Sequence, residues 1–272
     1  MAKIDMHIHS NISDGSLSPI EIFDIAKQNN CEIISITDHD IFNDYSSLEK
    51  KYSINIISGI EFNTSISNMH ILGYNIKNKE LINKKMLDLR KYNENVCLET
   101  IEKLEQNGYD VSKDKVIEYL KSINLSYDIL DKRKLVKYLI YKGYSNNVLE
   151  TYNKLIGKNQ KFYVPNKKIS SKEVIELVKE CGGFSSLAHP NTLQLSNDNL
   201  FLELQKLKEY GLEGIEVING NNQKNKIQFY KYLAQKLELL ETYGSDFHEP
   251  KHNKIGIDIS EIQKEKILKK II

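Results

Sequence analysis

Short strand patterns alternate with helical patterns along most of this chain, and that alternation constrains the fold more than any other feature. Residues 3–9 alternate apolar and polar side chains with the period of two that is typical of a β-strand. Helix starts lie between such segments, for example Ser18-Pro19-Ile20-Glu21, where serine, proline and glutamate occupy preferred positions. Further strand patterns lie at residues 32–37, 55–61, 69–74, 184–187, 213–218 and 239–243. This order predicts an α/β fold with a mostly parallel sheet.

Residues 79–157 interrupt the alternation, because they carry helical patterns and almost no strand pattern. The segment contains no histidine, and its acidic residues are scattered as on solvated helix faces. A chain of 272 residues is long enough for one barrel-sized α/β domain with an insertion. We therefore expect residues 1–78 and 158–272 to form one domain, interrupted by a small helical insertion at residues 79–157.

Charge and cysteine usage argue against several classes of protein. The 38 basic and 37 acidic residues give a formal net charge of +1, so we expect no broad nucleic-acid surface and no stable DNA complex. Cys31, Cys97 and Cys181 are far apart and odd in number, which argues against a disulfide framework or a Cys-x-x-Cys metal site. No signal segment and no apolar run of roughly 18 residues is present, so we expect a cytoplasmic protein without a membrane partner.

Six of the seven histidines and three carboxylates lie in or beside the strand patterns. In α/β folds the loops beyond the carboxyl ends of the strands converge. A lone histidine in a strand is more often a hydrogen-bonded core residue, and Asp38 and Asp40 fit the role of helix caps equally well. Buried carboxylates are costly unless cations accompany them, so the whole set predicts a metal cluster. The set comprises His7, His9, Asp14, His39, Glu61, His70, His189, Asp246 and His248.

Imidazole and carboxylate ligands without thiolates suit Zn, Mn or Fe better than a structural cysteine site. Nine ligands are too many for one ion, so we expect two to three divalent ions (Mn, Zn, Fe or Mg). Three such ions with three carboxylates leave a positive site that suits a phosphate ester. Metal ions bind its oxygens, lower the pKa of a bound water to about 7 and stabilise the leaving alkoxide. The motifs of P-loop enzymes and of serine hydrolases are absent from the sequence.

Six short motifs, in this order, resemble the PHP (polymerase and histidinol phosphatase) superfamily of metal-dependent phosphoesterases. They are Asp5-Met6-His7-Ile8-His9-Ser10 with Ser13-Asp14-Gly15, Thr37-Asp38-His39-Asp40, Gly59-Ile60-Glu61, His70-Ile71-Leu72-Gly73-Tyr74, Leu187-Ala188-His189-Pro190 and Gly244-Ser245-Asp246-Phe247-His248. The helical insertion and the stretch Glu213-Gly214-Ile215-Glu216-Val217 are similar to the stand-alone TrpH/YciV-like branch.

The resemblance implies a distorted (β/α)7 barrel with three metal ions and a bridging hydroxide as the nucleophile. It assigns His7, His9, Glu61 and Asp246 to one ion, Glu61, His70 and His189 to a second, and Asp14, His39 and His248 to a third. Relatives in this branch remove phosphate from nucleoside 3′,5′-bisphosphates or trim RNA from the 5′ end. The implied function is therefore metal-dependent hydrolysis of a phosphate ester, with a nucleotide or short RNA as the small phosphorylated substrate.

One stretch departs from the family pattern. Relatives tend to carry Arg-Pro-His within the insertion, whereas this chain has Asp131-Lys132-Arg133-Lys134. Lys132 or Arg133 then takes the place of the arginine, and Lys134 that of the histidine. A lysine cannot reproduce the bidentate fork of arginine. These three residues and His252 are candidate substrate-binding residues; the alternative is a solvated basic helix start.

Two other functions remain open. One is a phosphatase acting on a different small phosphomonoester, such as histidinol phosphate; the insertion and Asp14 favour the nucleotide branch over it. The other is a non-catalytic PHP module that binds metal for stability or for docking. The complete set of ligand motifs argues against that module, because loss of catalysis would leave gaps in the set.

Overall fold

We describe a computed structural model of the chain, which covers residues 1–220, 224–252 and 254–271. The chain divides into two compact units. The first, called here the barrel unit, comprises residues 1–84 and 168–272; the second, the helical unit, comprises residues 85–167. Among the described residues, no helix combines the length and the apolar character needed to span a bilayer.

The strands are short, and most begin within one residue of a predicted pattern; the pattern at residues 55–61 is divided between β3 and β4, and β9 was not predicted. They are β1 (Ala2–Ile8), β2 (Ile33–Ile36), β3 (Asn55–Ile56), β4 (Gly59–Asn63), β5 (His70–Tyr74), β6 (Phe184–Leu187), β7 (Gly214–Ile218), β8 (Leu240–Tyr243) and β9 (Ile257–Ile259). The α-helices are α1 (Pro19–Gln28), α2 (Glu49–Tyr52), α3 (Lys79–Glu105), α4 (Lys113–Ser122), α5 (Lys132–Tyr141), α6 (Val148–Thr151), α7 (Ser171–Glu180), α8 (Asn197–Glu209), α9 (Lys224–Lys236) and α10 (Glu261–Ile271).

The described strands form two mixed sheets, in the orders β3-β2-β1-β9 and β4-β5-β6-β7-β8. Parallel bridges between His39 and Glu61 and between Ile8 and Phe247 join the two sheets at both edges. Seven strands, β1, β2 and β4 to β8, therefore follow one another around a closed ring. The predicted α/β class and distorted (β/α)7 barrel are confirmed.

Strand β5 departs from the expected parallel order, because it runs antiparallel to both β4 and β6. Its first residue, His70, pairs with Asn63, the last residue of β4. The next residue, Ile71, pairs with Leu187 at the end of β6. The start of β5 therefore lies at the same rim of the barrel as the carboxyl ends of its neighbours.

Helix α1 shows how the sequence sets the helices that surround the barrel. Ser18 caps it, and the side chains and main-chain groups of Ser18 and Glu21 form the expected capping box. The helix buries Ile22, Phe23 and Ala26 in a core shared with strand residues such as Ile8 and Ile34. Each large apolar side chain buried in this way stabilises the fold by about 1.5–3 kcal/mol.

The helical unit has an apolar core of its own. Leu104, Val116, Leu120 and Leu135 are fully buried within it. Asp131 caps α5, because its carboxylate accepts a hydrogen bond from the main-chain N–H of Lys134 at 2.9 Å. Three candidate substrate-binding residues, Lys132, Arg133 and Lys134, thus form the first turn of α5.

Candidate metal centre

The first two histidines of the site are His7, on strand β1, and His9, directly after it, and both side chains are 0% exposed. Asp5, two residues earlier, accepts hydrogen bonds from the main-chain N–H groups of Ser245 and Gly256, each at 2.9 Å. These bonds hold the segment that follows β8 against β1. The two ends of the chain's sequence therefore meet at the site.

Glu61, from β4, lies at the centre of the cluster and is 0% exposed. Its Oε2 faces three histidines. The distances are 3.3 Å to Nε2 of His7, 3.1 Å to Nε2 of His9 and 3.2 Å to Nδ1 of His39. The bridge between His39 and Glu61 brings the end of β2 to this point.

The other oxygen of Glu61 faces two different histidines. Oε1 lies 2.9 Å from Nδ1 of His70 and 2.8 Å from Nε2 of His189. The His70 contact depends on the direction of β5, which places His70 at this rim of the barrel. A carboxylate whose oxygens are divided between two sets of imidazoles is suited to bridge two metal ions, which in such sites lie about 3.5–4 Å apart.

Asp246 completes one side of the cluster. Its Oδ1 lies 3.4 Å from Nε2 of both His7 and His9. The backbone at Asp246 has φ of 54°, and that at His189 has φ of 24°. Positive φ is uncommon for residues other than glycine and persists where surrounding contacts determine it, so two strained residues lie within this cluster.

Asp14 lies on the opposite side, on the loop after β1. Its carboxylate is 3.7 Å from Nδ1 of His9, 3.8 Å from Nε2 of His39 and 3.6 Å from Nε2 of His248. The next residue is Gly15, where an added Cβ would lie 2.2 Å from the main-chain oxygen of His9. Glycine is therefore required for the loop to return this closely to β1.

The ligand atoms form four groups, within each of which they lie no more than 4.8 Å apart. The groups are His9–Asp14–His39–His248, His7–His9–Asp246, His7–Glu61–His189 and His39–Glu61–His70. Together they contain the nine residues singled out from the sequence. His7, His9, His39 and Glu61 each belong to two groups, so neighbouring ions in such a cluster would share ligands.

Hydrogen bonds on the outer side fix the orientation of three of these histidines. Their Nδ1 atoms each face an acceptor: Oε1 of Glu216 at 3.0 Å for His7, Oγ1 of Thr192 at 3.0 Å for His189, and the main-chain oxygen of Asp246 at 2.9 Å for His248. A neutral imidazole that donates from Nδ1 carries its lone pair on Nε2. All three Nε2 atoms face the cluster.

The inner side of the cluster has lone pairs without hydrogen atoms to match them. The Nε2 atoms of His7 and His9 are only 3.2 Å apart. Within the described part of the chain, Oε2 of Glu61 and Nδ1 of His9 are buried and form no hydrogen bond. Buried polar groups normally have such partners. This donor set therefore fits divalent cations, which supply the positive charge that the lone pairs face.

In the absence of metal, the pKa values of the cluster also indicate that it requires positive charge. Burial lowers the pKa of His9, but the neighbouring carboxylates of Asp246 and Glu61 outweigh burial and raise the pKa to about 10. Burial acts to raise the pKa of Glu61, but the charges of His39, His7 and His70 hold it well below its usual range. Protons or metal ions must therefore supply positive charge here, and the two compete for the same nitrogens.

The four candidate substrate-binding residues lie outside these groups. His252 is 71% exposed and pairs with Glu249 at 2.7 Å. Lys132 donates to the main-chain oxygen of Val164. The remaining two also have partners in the helical unit: Lys134 donates to the main-chain oxygen of Ile129 at 2.7 Å, and Arg133 pairs with Asp131 at 3.1 Å.

Lys132 and Lys134 are only 5% and 2% exposed. The alternative expectation, a solvated basic helix start, is therefore wrong for these two lysines. Their role in substrate binding stays a prediction.

Sequence analysis missed the carboxylates that hold the site from outside. Glu216 is 0% exposed in β7, and a charged residue in the middle of an apolar strand was the signal for it. Asp38 is not a helix cap: it accepts hydrogen bonds from the main-chain N–H and the hydroxyl of Ser10, at 2.8 and 2.7 Å. Asp40 likewise accepts a hydrogen bond from the main-chain N–H of Asn63 at 3.0 Å. These carboxylates shape the loops that carry the ligands.

Comparison with known proteins adds three findings. A family model described as PHP domain matches residues 5–207. The chain is 26% identical over 258 residues to the 5'-3' exoribonuclease of Haemophilus influenzae, with 91% of this chain and 90% of that protein covered. It is 24% identical over 259 residues to the 3',5'-nucleoside bisphosphate phosphatase of Chromobacterium violaceum, with 92% of this chain and 88% of that protein covered.

A solved structure from Bifidobacterium adolescentis, described as a metal-dependent phosphoesterase, has the same fold. It superposes with a TM-score of 0.80 at 22% identity, over 99% of this chain and 96% of that chain. The likeness therefore covers both the barrel unit and the helical unit along the chain.

Proposed function

This chain belongs to the PHP domain family, and on that premise we propose that it is a metal-dependent phosphoesterase that hydrolyses a phosphate ester of a nucleotide. The family predicted from the motifs is confirmed. Two relatives are named as an exoribonuclease and as a nucleoside bisphosphate phosphatase. Both names describe hydrolysis of a phosphoester in a nucleotide, which supports the same reaction class here.

One observation carries the proposal: the division of the Glu61 carboxylate between two sets of histidines. Oε2 lies within 3.3 Å of three imidazole nitrogens, and Oε1 lies within 2.9 Å of two others. We propose that two to three divalent ions (Mn, Zn, Fe or Mg) bind here, held by the nine residues of the four groups. When bound, such ions lower the pKa of a water molecule and neutralise the charge of phosphate oxygens.

The chain's own residues prepare the site for that chemistry. Glu216, Thr192 and the main-chain oxygen of Asp246 hold three imidazoles in the tautomer that presents Nε2 to the cluster. Neutral imidazoles and ionised carboxylates are the forms that bind metal, so these three imidazoles would present a lone pair to an ion once protons have left the cluster. Burial of His7, His9 and Glu61 keeps bulk water away from these atoms.

The size of the cavity on the open side of the cluster limits which part of the substrate can enter. The cavity has a volume of about 220 Å³, which is below the roughly 300–1,000 Å³ of a pocket for a whole drug-sized ligand. The lining residues are His39, Glu61, Asn68, His70, His189, Thr192, Asp246 and His248. We propose that the phosphate ester enters this cavity, while the base and much of the sugar stay outside it.

The test is a panel of substrates given to Mn²⁺-loaded protein: a nucleoside 3′,5′-bisphosphate, a short 5′-phosphorylated RNA and histidinol phosphate. We expect turnover of one or both nucleotide substrates. Glu61→Gln should lose at least about 1,000-fold in activity, because metal ions supply several kcal/mol to such reactions. Glu213→Gln is the matched control, since Glu213 is an exposed glutamate next to β7, outside the cluster.

Two results would contradict the proposal. Equal activity of Glu61→Gln and Glu213→Gln would exclude metal-dependent catalysis at this site. Turnover of histidinol phosphate alone would exclude the nucleotide assignment and favour the small-molecule phosphatase.

A further inference from the structure

Glu216 is a buried carboxylate that lies directly behind the ligand groups. Its side chain is 0% exposed, and each of its oxygens has a different partner. Oε1 lies 3.0 Å from Nδ1 of His7, and Oε2 accepts a hydrogen bond from the main-chain N–H of His189 at 2.7 Å. A buried carboxylate without such donors would be costly, so these two contacts hold all three residues in place.

We propose that Glu216 is the positioning residue for two metal ligands on opposite sides of Glu61: His7, which faces Oε2, and His189, which faces Oε1. It acts by fixing the tautomer of His7 and the backbone position of His189. This inference rests on the proposed function, because it assigns a role within the same cluster.

The selectivity follows from the membership of the groups. His7 and His189 both belong to the His7–Glu61–His189 group, and neither belongs to the His9–Asp14–His39–His248 group. Glu216 therefore contacts one ligand on each side of Glu61 and no ligand of the His9–Asp14–His39–His248 group. Its loss should weaken the ions that His7 and His189 hold and spare the ion of the His9–Asp14–His39–His248 group.

The surroundings leave Glu216 and His7 no alternative arrangement. At Gly244, an added Cβ would lie 2.2 Å from Cβ of His7 and 2.9 Å from Oε1 of Glu216, so the segment after β8 closes this contact from the other side. The backbone of His189 has φ of 24° and ψ of 67°. This is a sparsely populated conformation, and the hydrogen bond to Oε2 helps to maintain it.

Glutamine at position 216 separates this role from simple packing. Glutamine has the same shape but offers one acceptor oxygen and one NH₂ donor. The main-chain N–H of His189 can only donate, so the amide oxygen must face it and the NH₂ must face Nδ1 of His7. That Nδ1 must then accept, which moves the ring hydrogen to Nε2. An imidazole with hydrogen on Nε2 cannot bind a metal ion through that atom.

The experiment compares the full chain as wild type, Glu216→Gln and Glu213→Gln, each stripped of metal and dialysed against a series of Mn²⁺ concentrations. Bound metal is counted by mass spectrometry, and circular dichroism checks the fold. We expect Glu216→Gln to bind the ions held by His7 and His189 about 10–100-fold more weakly and the ion of the His9–Asp14–His39–His248 group as wild type does. Co²⁺ loading gives an independent signature, since only the part of the visible absorption that comes from the spared ion should remain at the same Co²⁺ concentration.

The possible outcomes distinguish failure of this inference from failure of the proposed function. Identical binding by wild type and Glu216→Gln would overturn the inference and leave the proposed function intact, as would equal weakening of every ion. Absence of metal binding by wild type would overturn the proposed function itself.

Glu216→Asp keeps two acceptor oxygens and serves as the second variant, also where Glu216→Gln fails to fold. It should bind the ions held by His7 and His189 more weakly than wild type but more tightly than Glu216→Gln. Binding by Glu216→Asp that is no different from wild type, or as weak as that of a folded Glu216→Gln, would contradict the proposed role of the tautomer.

Discussion

The barrel unit and the helical unit each bury a cluster of charged side chains, and the two clusters are built in opposite ways. Around Glu61, imidazole nitrogens and carboxylate oxygens face one another, as the 3.2 Å between the Nε2 atoms of His7 and His9 shows. At the start of α5, the buried ammonium groups of Lys132 and Lys134 both donate to main-chain oxygens.

The difference shows which kind of buried charge indicates a functional site. In the helical unit, both buried ammonium groups have an acceptor oxygen within the chain. The cluster of the barrel unit has more acceptors than donors, so it needs cations from outside the chain. Both units therefore bury charged side chains. The cluster of the barrel unit differs because its lone pairs outnumber the hydrogen atoms that face them.

The largest expected effect comes from His9→Ala. His9 belongs to two ligand groups, so its removal should weaken two ions and lower phosphoesterase activity by about 1,000-fold, equivalent to about 4 kcal/mol. Metal content and kcat/KM of the Mn²⁺-loaded protein measure this. Metal content and kcat/KM equal to those of wild type would show that the barrel cluster is complete without ions.

Metal ions should stabilise one region and leave the other unchanged. Mn²⁺ at 100 times its Kd should add about 2.7 kcal/mol to the free energy of unfolding of whatever binds it. Hydrogen exchange resolves the regions: amides of β1 and of the segment after β8 should be protected by Mn²⁺, and those of α5 should not. Equal protection of α5 would show that the two clusters do not differ in their need for metal.

Substitution of one glycine in each unit should affect metal content in the barrel unit only. Gly244→Ala places Cβ 2.2 Å from Cβ of His7, so it should cost about 1–3 kcal/mol through overpacking and also lower metal content. Gly143→Ala in the helical unit has no neighbour within 4 Å among the described residues and only the strain of φ +75°, costing about 1 kcal/mol. Urea unfolding and metal analysis measure both. Loss of metal from Gly143→Ala, or full retention by Gly244→Ala, would contradict this account.

The smallest expected effect on metal content is that of Lys134→Met. The change leaves the main-chain oxygen of Ile129 without its donor, so we expect a loss of about 1–3 kcal/mol in stability with normal metal content. Thermal unfolding and steady-state kinetics separate the two roles considered for this lysine. A large rise in KM without loss of stability would favour its predicted contact with substrate over the structural role.

Local patterns were sufficient for much of the fold and for the candidate ligands. The period of two in β1 and the capping box of Ser18 and Glu21 are properties of neighbouring residues, and the structure contains both. The direction of β5 is not such a property, because it depends on which strands pair. The place of His70 beside Glu61 therefore follows from the pairing with Asn63 and not from the strand pattern.

The supporting residues were harder to predict for the same reason. Asp38 holds the loop at Ser10, 28 residues away, and Glu216 holds His7, 209 residues away. At such separations along the chain, the sequence around each residue gives no sign of the contact except a charged residue among apolar ones. The lysines of α5 show the converse, since a basic run that is typical of solvated helices proved to be buried.

Anomalous diffraction from Mn²⁺-soaked crystals tests the central claim most directly, because it locates each ion independently of activity. The account predicts at least two ions in the cluster, with Oε2 and Oε1 of Glu61 bound to different ions and no ion at the start of α5. The absence of anomalous density around Glu61, or a single ion bound by both of its oxygens, would contradict it.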